Sequence, residues 1–497
     1  MTQNHFDVLI VGGGLSGIGA ACSLKMHCPQ KRYAILEGRA SIGGTWDLFR
    51  YPGIRSDSDM FTLGYSFRPW VEGKAIADGP SILKYIKDTA EHYGVDEHIR
   101  FQHWVKRASW SSQDACWTVE AECGAGKQPA RFTCNFLFVC SGYYSYAEGY
   151  TPVFPGVGSF TGTVVHPQKW PEGLEYANKR IIVIGSGATA VTLVPAMAKT
   201  AAQVTMLQRS PTYVVARPEQ DALANFLRRH LPAKMAYQLV RWRNILFGIY
   251  FYGLCKRSPE RVKKWIFDRV KGALGPDYDA VTHFTPRYNP WDQRMCLVPD
   301  GDLFEAIKQG KAAVVTDEIE TFTEHGIKLR SGQNLEGDII VTATGLNLVA
   351  LGDIQISVDG RLVDPAKTLN YKGTMYGGIP NLASTFGYTN ASWTLKSELT
   401  CDYICRVLNH MEQKGYQVCV PQNDDPTVTA EPWLNLSSGY IQRVADKLPK
   451  QGSKMPWKLH QNYVKDVMSL KFGALDDGVM RYLNRSDSLE LKAALSG

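Results

Sequence analysis

Two short apolar runs, each followed by a glycine-rich turn and a helical pattern, predict an α/β fold with two Rossmann-like dinucleotide-binding domains. The runs lie at Phe6–Val11 and Arg180–Ile184 in a chain of 497 residues. A basic, aromatic-rich stretch at about 217–286 predicts a helical subdomain inserted into the second domain. The order of these features predicts a first domain in two parts, 1–145 and 346–497, and a second domain at 146–345.

The composition is that of an ordinary globular protein, with 44% hydrophobic residues and a formal net charge of +7. The 55 basic and 48 acidic residues are interspersed, so nucleic acid is not required as a partner. Eleven scattered cysteines predict reduced thiols, with neither a disulfide framework nor a metal site. The strand at Phe6 leaves no room for a signal peptide, so we expect a cytoplasmic protein.

The first glycine-rich turn matches the GxGxxG pattern. Its first glycine permits a tight turn, the second lets the backbone approach a pyrophosphate, and the third allows close packing of helix on strand. A helix predicted from Ser16 to about His27 directs its amides at that pyrophosphate, and a strand at Arg32–Glu37 ends in an acid suited to a ribose hydroxyl. The alternative is a glycine-rich turn without a ligand. The predicted binding residues are Gly12, Gly14, Ser16, Gly17 and Glu37.

The pattern recurs as a GxGxxA variant after the second apolar run. The next strand, Gln203–Leu207, is followed by Gln208 and Arg209, with no acid where a ribose diol requires one. A guanidinium at this position pairs with a 2′-phosphate, which predicts NADPH rather than NADH. A solvated surface arginine is the alternative. The predicted binding residues are Gly185, Ser186, Gly187, Ala188, Thr189, Ala190, Arg209 and Ser210.

The inserted stretch contains the longest apolar run of the chain, Asn244–Cys255. This run is shorter than the roughly 20 residues that cross a bilayer, so a helix packed inside a domain is favoured. A basic amphipathic helix can also lie on an anionic membrane surface. Solvated helix faces packed over an active site are favoured, and peripheral membrane contact remains the alternative.

With these motifs the chain resembles the type I Baeyer-Villiger monooxygenases, in particular the branch of the ethionamide-activating monooxygenase. The resemblance covers essentially the whole chain, and its most specific element is Phe160–Pro171, which fits the fingerprint FxGxxxHxxxWP. Related N- and S-oxygenating flavin monooxygenases usually lack the pair Trp170 and Pro171. The fingerprint lies between the two domains, so we expect it to couple their motion. Without the family, His166 and Trp170 would be packing residues.

The same resemblance implies roles for three further segments. Gly43–Asp57 is similar to the family's segment along the flavin and nicotinamide. Val105, in the strand-like stretch Phe101–Val105, matches a position whose backbone contacts adenine. Tyr288–Arg294 aligns with the loop that bears the active-site arginine, but Gln293 replaces a common lysine, which weakens the expected preference for NADPH. The residues implied to line FAD are Thr45, Trp46, Asp47 and Leu48, and those implied to approach both cofactors are Arg55, Ser56 and Asp57.

The resemblance implies an enzyme that uses FAD, NADPH and O₂. NADPH reduces FAD, reduced flavin forms a C4a-peroxide with O₂, and its addition to a ketone leads to an ester or lactone. Arg294 is the residue expected to stabilise the developing charge, with Asp57 as its orienting partner. Thioether oxidation is the expected side activity.

A disulfide reductase also has paired nucleotide-binding folds, but it needs a redox-active dithiol beside its flavin. This class is disfavoured because no cysteine lies between Glu37 and Cys116. The alternatives left open are an N- or S-oxygenating flavin monooxygenase and a non-catalytic nucleotide-binding or membrane-surface protein.

Overall fold

The computed structural model describes residues 4–434 and 436–487, and these form an α/β molecule with two main sheets. At the centre of the first sheet, His5–Val11 pairs in parallel with Tyr33–Leu36 and with Gln128–Val139. Their side chains are largely buried, as expected for parallel strands covered by helices. The helices Leu15–His27 and Trp393–Lys414 contribute to the same buried core.

The first sheet also draws strands from distant parts of the chain. Leu382–Ser384 pairs in parallel with the second half of Gln128–Val139, so the early and late parts of the chain share one sheet. Its other strands are Ile99–Arg100, His103–Ser111, Cys116–Cys123, Gln355–Val358, Arg361–Leu362, Asn370–Tyr371 and Met375–Tyr376.

The second sheet is entirely parallel within the described residues. Its order from one edge to the other is Ala312–Thr316, Gln203–Gln208, Arg180–Ile184, Ile339–Thr342 and Thr163–Val165. The last of these strands belongs to the fingerprint. A separate antiparallel sheet consists of Ile319–Thr323, Gly326–Leu329 and Asn334–Glu336. The remaining strand pairs are Tyr144–Gly149 with Leu346–Leu348, Val214–Arg217 with Cys296–Pro299, Val418–Pro421 with Met480–Leu483, and Ala430–Pro432 with Lys450–Gly452.

The inserted stretch is helical, and the predicted fold class, two Rossmann-like folds with a helical insertion, is confirmed. Its helices are Ala222–His230, Ala233–Arg257, Pro259–Leu274 and Ala280–Phe284. The other helices are Gly79–Tyr93, Ala188–Met197, Asp302–Lys308, and the shorter Thr45–Leu48, Met60–Leu63, Gly439–Gln442 and Tyr463–Asp466, the last continued by a π-helix at Val467–Phe472.

Two sequence-based expectations need correction. The stretch Phe101–Val105 is not one strand, because Gln102 has φ +57° in a turn and the strand begins at His103. The apolar run Asn244–Cys255 lies in Ala233–Arg257, but only part of that helix is buried. Among the described residues, no helix is long and apolar enough to span a bilayer.

Candidate cofactor sites and active site

The first glycine-rich turn requires glycine for two different reasons. Gly12 has φ +106°, and a Cβ there would lie 2.7 Å from the carbonyl oxygen of Cys140. A Cβ on Gly17 would lie 1.8 Å from the carbonyl oxygen of Gly12, so this glycine allows the helix to approach the strand. Gly14 is the N-cap of Leu15–His27 and has no side chain to cap it. The first amides of the helix are therefore left for an anionic group.

The acid predicted to reach a ribose, Glu37, lies directly against this turn. Its buried carboxylate accepts hydrogen bonds from the backbone amides of Gly13, at 2.6 Å, and Arg39, at 2.8 Å. Burial raises the pKa of Glu37, and the two amide hydrogen bonds oppose that shift. The amide of His103 donates to the carbonyl of Glu37, so the strand that carries the buried Val105 begins beside this acid.

The segment Gly43–Asp57 connects the two glycine-rich regions. At its start, the amide of Gly43 donates to the carbonyl of Gly13 at 3.0 Å, which places the short helix Thr45–Leu48 beside the first turn. Further along, Gly53 has φ +76°, and a Cβ there would lie 2.5 Å from the Cβ of Ala196. Ala196 belongs to Ala188–Met197, the helix that follows the second glycine-rich turn. The segment therefore contacts both dinucleotide-binding folds.

Within the short helix, Asp47 is buried and already bonded within the protein. Its carboxylate accepts a hydrogen bond from Ser41, pairs with Arg39, and contacts Arg50 at 3.4 Å. These contacts assign Asp47 a part in holding the segment in place, while Thr45, Trp46 and Leu48 remain partly exposed.

The second glycine-rich turn is more open than the first. Gly185 has φ +131°, whereas Gly187, the N-cap of Ala188–Met197, faces open space and has no side-chain cap. The hydroxyl of Ser186 donates to the carbonyl of Ser210 at 3.0 Å, which ties this turn to the end of the next strand. Ala188 is exposed, Thr189 is partly exposed and Ala190 is buried.

Arg209 lies at the end of that strand and is exposed. It forms no ion pair within the part of the chain that the structure describes. The two glycine N-caps without side-chain bonds, together with this unpaired guanidinium, fit two dinucleotides, the second of which carries an extra phosphate.

The predicted partners Asp57 and Arg294 form a bidentate ion pair. Nε of Arg294 lies 3.0 Å from Oδ2 of Asp57, and Nη2 donates to Oδ1 at 3.2 Å. The two side chains are 30% and 34% exposed, so one side of the pair remains accessible. The neighbouring carboxylate raises the pKa of Arg294, which keeps the guanidinium charged.

Arg294 also lines a cavity that opens to solvent, with about 300 Å³ of empty space when the open part is included. The walls are mainly aromatic and apolar, and they come from distant parts of the chain: Tyr143, Phe386, Tyr388, Thr389, Trp393, Leu434, Leu436, Tyr440 and Ile441. The indole of Trp393 donates to the hydroxyl of Ser16 at 2.7 Å, and its ring stacks on Tyr143. One wall of the cavity is therefore attached to the helix that follows the first glycine-rich turn.

The tyrosines around Arg294 are neutral. Burial raises the pKa of Tyr143 well above its usual range and that of Tyr144 to about 12. Their hydroxyls are 2.9 Å apart, and burial also raises the pKa of Tyr440. Arg294 is thus the charged group of the cavity wall, held by the Asp57 carboxylate, and the phenols that share the wall with it are neutral.

Arg55 and Ser56 lie next to this pair but have protein partners. Arg55 pairs with Asp302, with a second contact of 3.3 Å between Nη2 and Oδ1. The buried Ser56 accepts a hydrogen bond from the amide of Ser58. Sequence patterns did not identify Asp302, since a helix-initiating acid is common in the first turn of any helix.

The fingerprint places His166 between the two strands that connect the domains. Nε2 of His166 donates to the carbonyl of Gly345 at 3.2 Å, and Nδ1 accepts from the amide of Gln168 at 3.1 Å. A Cβ on Gly149 would lie 1.9 Å from the imidazole ring. His166 therefore packs against Gly149, the last residue of the strand Tyr144–Gly149, and bonds to Gly345 directly before the strand Leu346–Leu348. These two strands pair with each other.

Comparisons with known proteins agree with this arrangement. A family model described as flavin-binding monooxygenase-like matches residues 75–350, and an NAD(P)-binding Rossmann-like domain matches residues 10–71. The FAD-containing monooxygenase EthA of Mycobacterium tuberculosis is 54% identical over 486 residues, which cover 98% of this chain and 99% of that protein.

Solved structures show the same fold at low sequence identity. A steroid monooxygenase bound to NADP has a TM-score of 0.74 and 22% identity, covering 97% of this chain and 100% of that one. Cyclohexanone monooxygenase bound to ε-caprolactone has a TM-score of 0.75 and 19% identity, covering 96% and 100%.

These findings confirm the predicted flavoprotein monooxygenase and its FAD. With a family model over more than half of its length and a 54% identical relative over nearly all of it, this flavoprotein monooxygenase belongs to the flavin-binding monooxygenase-like family.

Proposed function

We propose that this enzyme converts ketones to esters or lactones, using FAD, NADPH and O₂. The observation that supports this most strongly is the bidentate Asp57–Arg294 pair in the wall of an aromatic cavity. When bound, FAD reduced by NADPH supplies the oxygen-transfer chemistry with O₂. The protein supplies the binding site, the orientation of the substrate and a fixed positive charge.

Arg294 is the proposed catalytic residue. Oxygen insertion beside a ketone places negative charge on oxygen, and a preorganised cation in a water-poor site stabilises that charge strongly. Asp57 is the proposed positioning residue, because its two carboxylate oxygens hold the guanidinium in one plane. Since the pair leaves part of Arg294 exposed to the cavity, the guanidinium can face a substrate while it remains held.

The walls of the cavity suit an apolar ketone. Phe386, Trp393, Leu434 and Leu436 offer apolar contacts to a substrate in the space beside Arg294. The hydrogen bond of Trp393 to Ser16 ties the cavity to the proposed FAD site. A substrate in this cavity would therefore lie close to the first dinucleotide-binding fold.

We propose that FAD lies at the first glycine-rich turn and NADPH at the second. The first site would use the turn amides, Glu37, the short helix at 45–48 and the backbone of Val105. The second would use the turn at 185–190 with Arg209 and Ser210. Arg55, Ser56 and Asp57 lie on the segment that contacts both folds, which supports their assignment to both cofactors.

Product analysis with isotopically labelled O₂ tests the proposed reaction. The FAD-loaded enzyme is incubated with NADPH and a panel of linear and cyclic ketones, each paired with a thioether of similar shape. We expect esters or lactones that carry one labelled oxygen atom, with sulfoxides as minor products of the thioethers. Formation of S- or N-oxides alone, with every ketone returned unchanged, would assign the enzyme to the N- or S-oxygenating class instead.

A further inference from the structure

The outward face of the longest inserted helix is apolar rather than polar. In Ala233–Arg257, five of the six large exposed hydrophobic side chains follow one another at intervals of four and three residues, which places these five on a single face; Phe247 is the sixth. Tyr250 is 67% exposed and Leu246 is 54% exposed. The members of this row are Met235, Leu239, Trp242, Leu246 and Tyr250. A solvated helix face was expected here, and the observed face is of the opposite character.

This row continues onto a neighbouring helical segment. The ring of Trp242 packs against Tyr463 at a centroid distance of 5.7 Å. The segment that follows Tyr463 carries three exposed apolar side chains spaced four residues apart. They are Val464, Met468 and Phe472. We define the apolar face as these three residues together with the row on Ala233–Arg257.

Positive charge is concentrated in the same region. The stretch 217–286 contains 13 basic and 6 acidic residues, and this excess of seven equals the net charge of the whole chain. Among the described residues, four exposed cations of this stretch form no ion pair, and neither does Lys465 on the neighbouring helical segment; the four are Arg229, Lys234, Arg257 and Arg261. Arg257 lies two turns after Tyr250, on the same side of the helix as the row.

We propose that the apolar face docks this enzyme on an anionic lipid surface. A helix with exposed Leu, Trp and Tyr beside Lys and Arg matches the interface of a bilayer, where apolar groups enter the acyl boundary and cations contact lipid phosphates. A second copy of the chain fits this face less well, because pairing would bring two excesses of positive charge together. An anionic bilayer satisfies both parts of the surface, because its acyl chains accept the apolar side chains and its phosphates contact the cations.

The inner side of the same helix connects docking to the cavity. Ile245 packs in a buried cluster with Tyr388 and Leu395, and Tyr388 lines the cavity beside Arg294. Docking would thus place lipid on one side of a helix whose other side supports the cavity wall. If the proposed function holds, this arrangement suits ketones that partition into lipid, but docking itself does not depend on the reaction.

Sedimentation with vesicles tests the proposal on the intact, FAD-loaded enzyme. The protein is spun with vesicles of phosphatidylcholine alone and of phosphatidylcholine with phosphatidylglycerol, at physiological and at raised salt. We expect binding to the phosphatidylglycerol vesicles at physiological salt, weaker binding as salt rises, and little binding to phosphatidylcholine alone. Enzyme that stays in the supernatant with the anionic vesicles would overturn the proposal.

Two pairs of variants separate the apolar and the charged contributions. The double variant Leu239→Ser/Leu246→Ser should lower the partition coefficient about tenfold or more, because two side chains no longer enter the acyl boundary. Lys234→Gln/Arg257→Gln should lower it about fivefold for each charge removed. Both variants should retain FAD and oxidise NADPH with a water-soluble substrate at the wild-type rate.

Matched controls lie on or beside strands of the first sheet and are not part of the apolar face. Leu362→Ser alters a leucine that is 68% exposed, and Lys127→Gln/Arg131→Gln removes two exposed cations. Both controls should bind vesicles as the wild type does. Equal losses in controls and test variants would contradict docking by this face. Docking on lipid would also be contradicted if the wild type bound no vesicles but formed a dimer, and if Leu239→Ser/Leu246→Ser converted that dimer to a monomer.

Discussion

The side chains of Asp57 and Arg294 pair although the two residues lie 237 positions apart in the sequence. Both guanidinium contacts fall within hydrogen-bonding distance, and a planar fork held in this way cannot be reproduced by an ammonium group. The resemblance of the flanking segments identified both residues in the sequence. The ion pair itself is observed, whereas its part in catalysis stays a prediction.

Arg209 tests the proposed preference for NADPH. We expect Arg209→Ala to raise the KM for NADPH about 10-fold to 100-fold, the range for loss of a charge-assisted hydrogen bond, and to leave the KM for NADH nearly unchanged. Steady-state kinetics with both nucleotides measures this ratio. Lys199→Ala is the matched control, since it removes an exposed cation from the same domain. Equal changes for both nucleotides in Arg209→Ala would refute the assignment.

Single residues also show where sequence patterns stop. Glu37 was identified because an acid after a second strand has a known place in the fold, and it does lie at the first turn. Tyr143, Trp393 and Tyr440 were not identified, because they line one cavity from three distant segments. An aromatic residue in a sequence predicts burial, and only the tertiary arrangement shows which aromatics face a common space.

The two glycine-turn helices are related elements in different surroundings. The helix Leu15–His27 approaches its strand through Gly17, while Ala188–Met197 begins after Gly187 in open space. The apolar run and glycine spacing predicted that the first helix begins at Ser16, one residue after its observed start, because local pattern determines such a start. The tightness of packing at each turn depends on neighbours far away in the chain.

The difference in packing at the two turns predicts different effects on stability for the same substitution, glycine to alanine, at each turn. Gly17→Ala should destabilise the protein by about 1 to 3 kcal/mol and lower its FAD content, because the new Cβ overlaps the carbonyl of Gly12. Gly187→Ala should stay within about 0.5 kcal/mol of wild type, since no atom lies within 4 Å and φ is −78°. Unfolding curves and flavin absorbance after gel filtration check both. Similar losses in the two variants would contradict this account of the turns.

For the whole molecule, the paired connecting strands and His166 are among the contacts that join the two folds. The sequence placed the fingerprint between the folds. The structure shows that its strand Thr163–Val165 joins the edge of the second sheet and that His166 contacts the connections. Such contacts could not be predicted, because they join residues that no local periodicity relates.

His166 predicts a pH dependence of stability. Its hydrogen bonds require a neutral ring with the proton on Nε2, and burial lowers the pKa of His166 below its usual value. Because the folded pKa lies below the unfolded one, the contribution of His166 to stability is complete above about pH 6.5 and is lost as pH falls through the folded pKa. The unfolding temperatures of wild type and His166→Gln, measured from about pH 8 to about pH 5, should converge as the pH falls. A constant difference would contradict the neutral assignment.

The central claim is that Arg294 acts on oxygen insertion and not on flavin reduction. The most direct test uses the variant Arg294→Ala, whose flavin reduction is followed by anaerobic stopped-flow and whose products are then analysed in air. The variant should bind FAD, and NADPH should reduce it. Ester or lactone formation should fall about 10² to 10³-fold, and the electrons from NADPH should instead reduce O₂ to hydrogen peroxide. Arg294→Lys should recover little, because a point charge cannot form the planar pair with Asp57. Ester formation by Arg294→Ala at a rate close to that of the wild type would contradict the account.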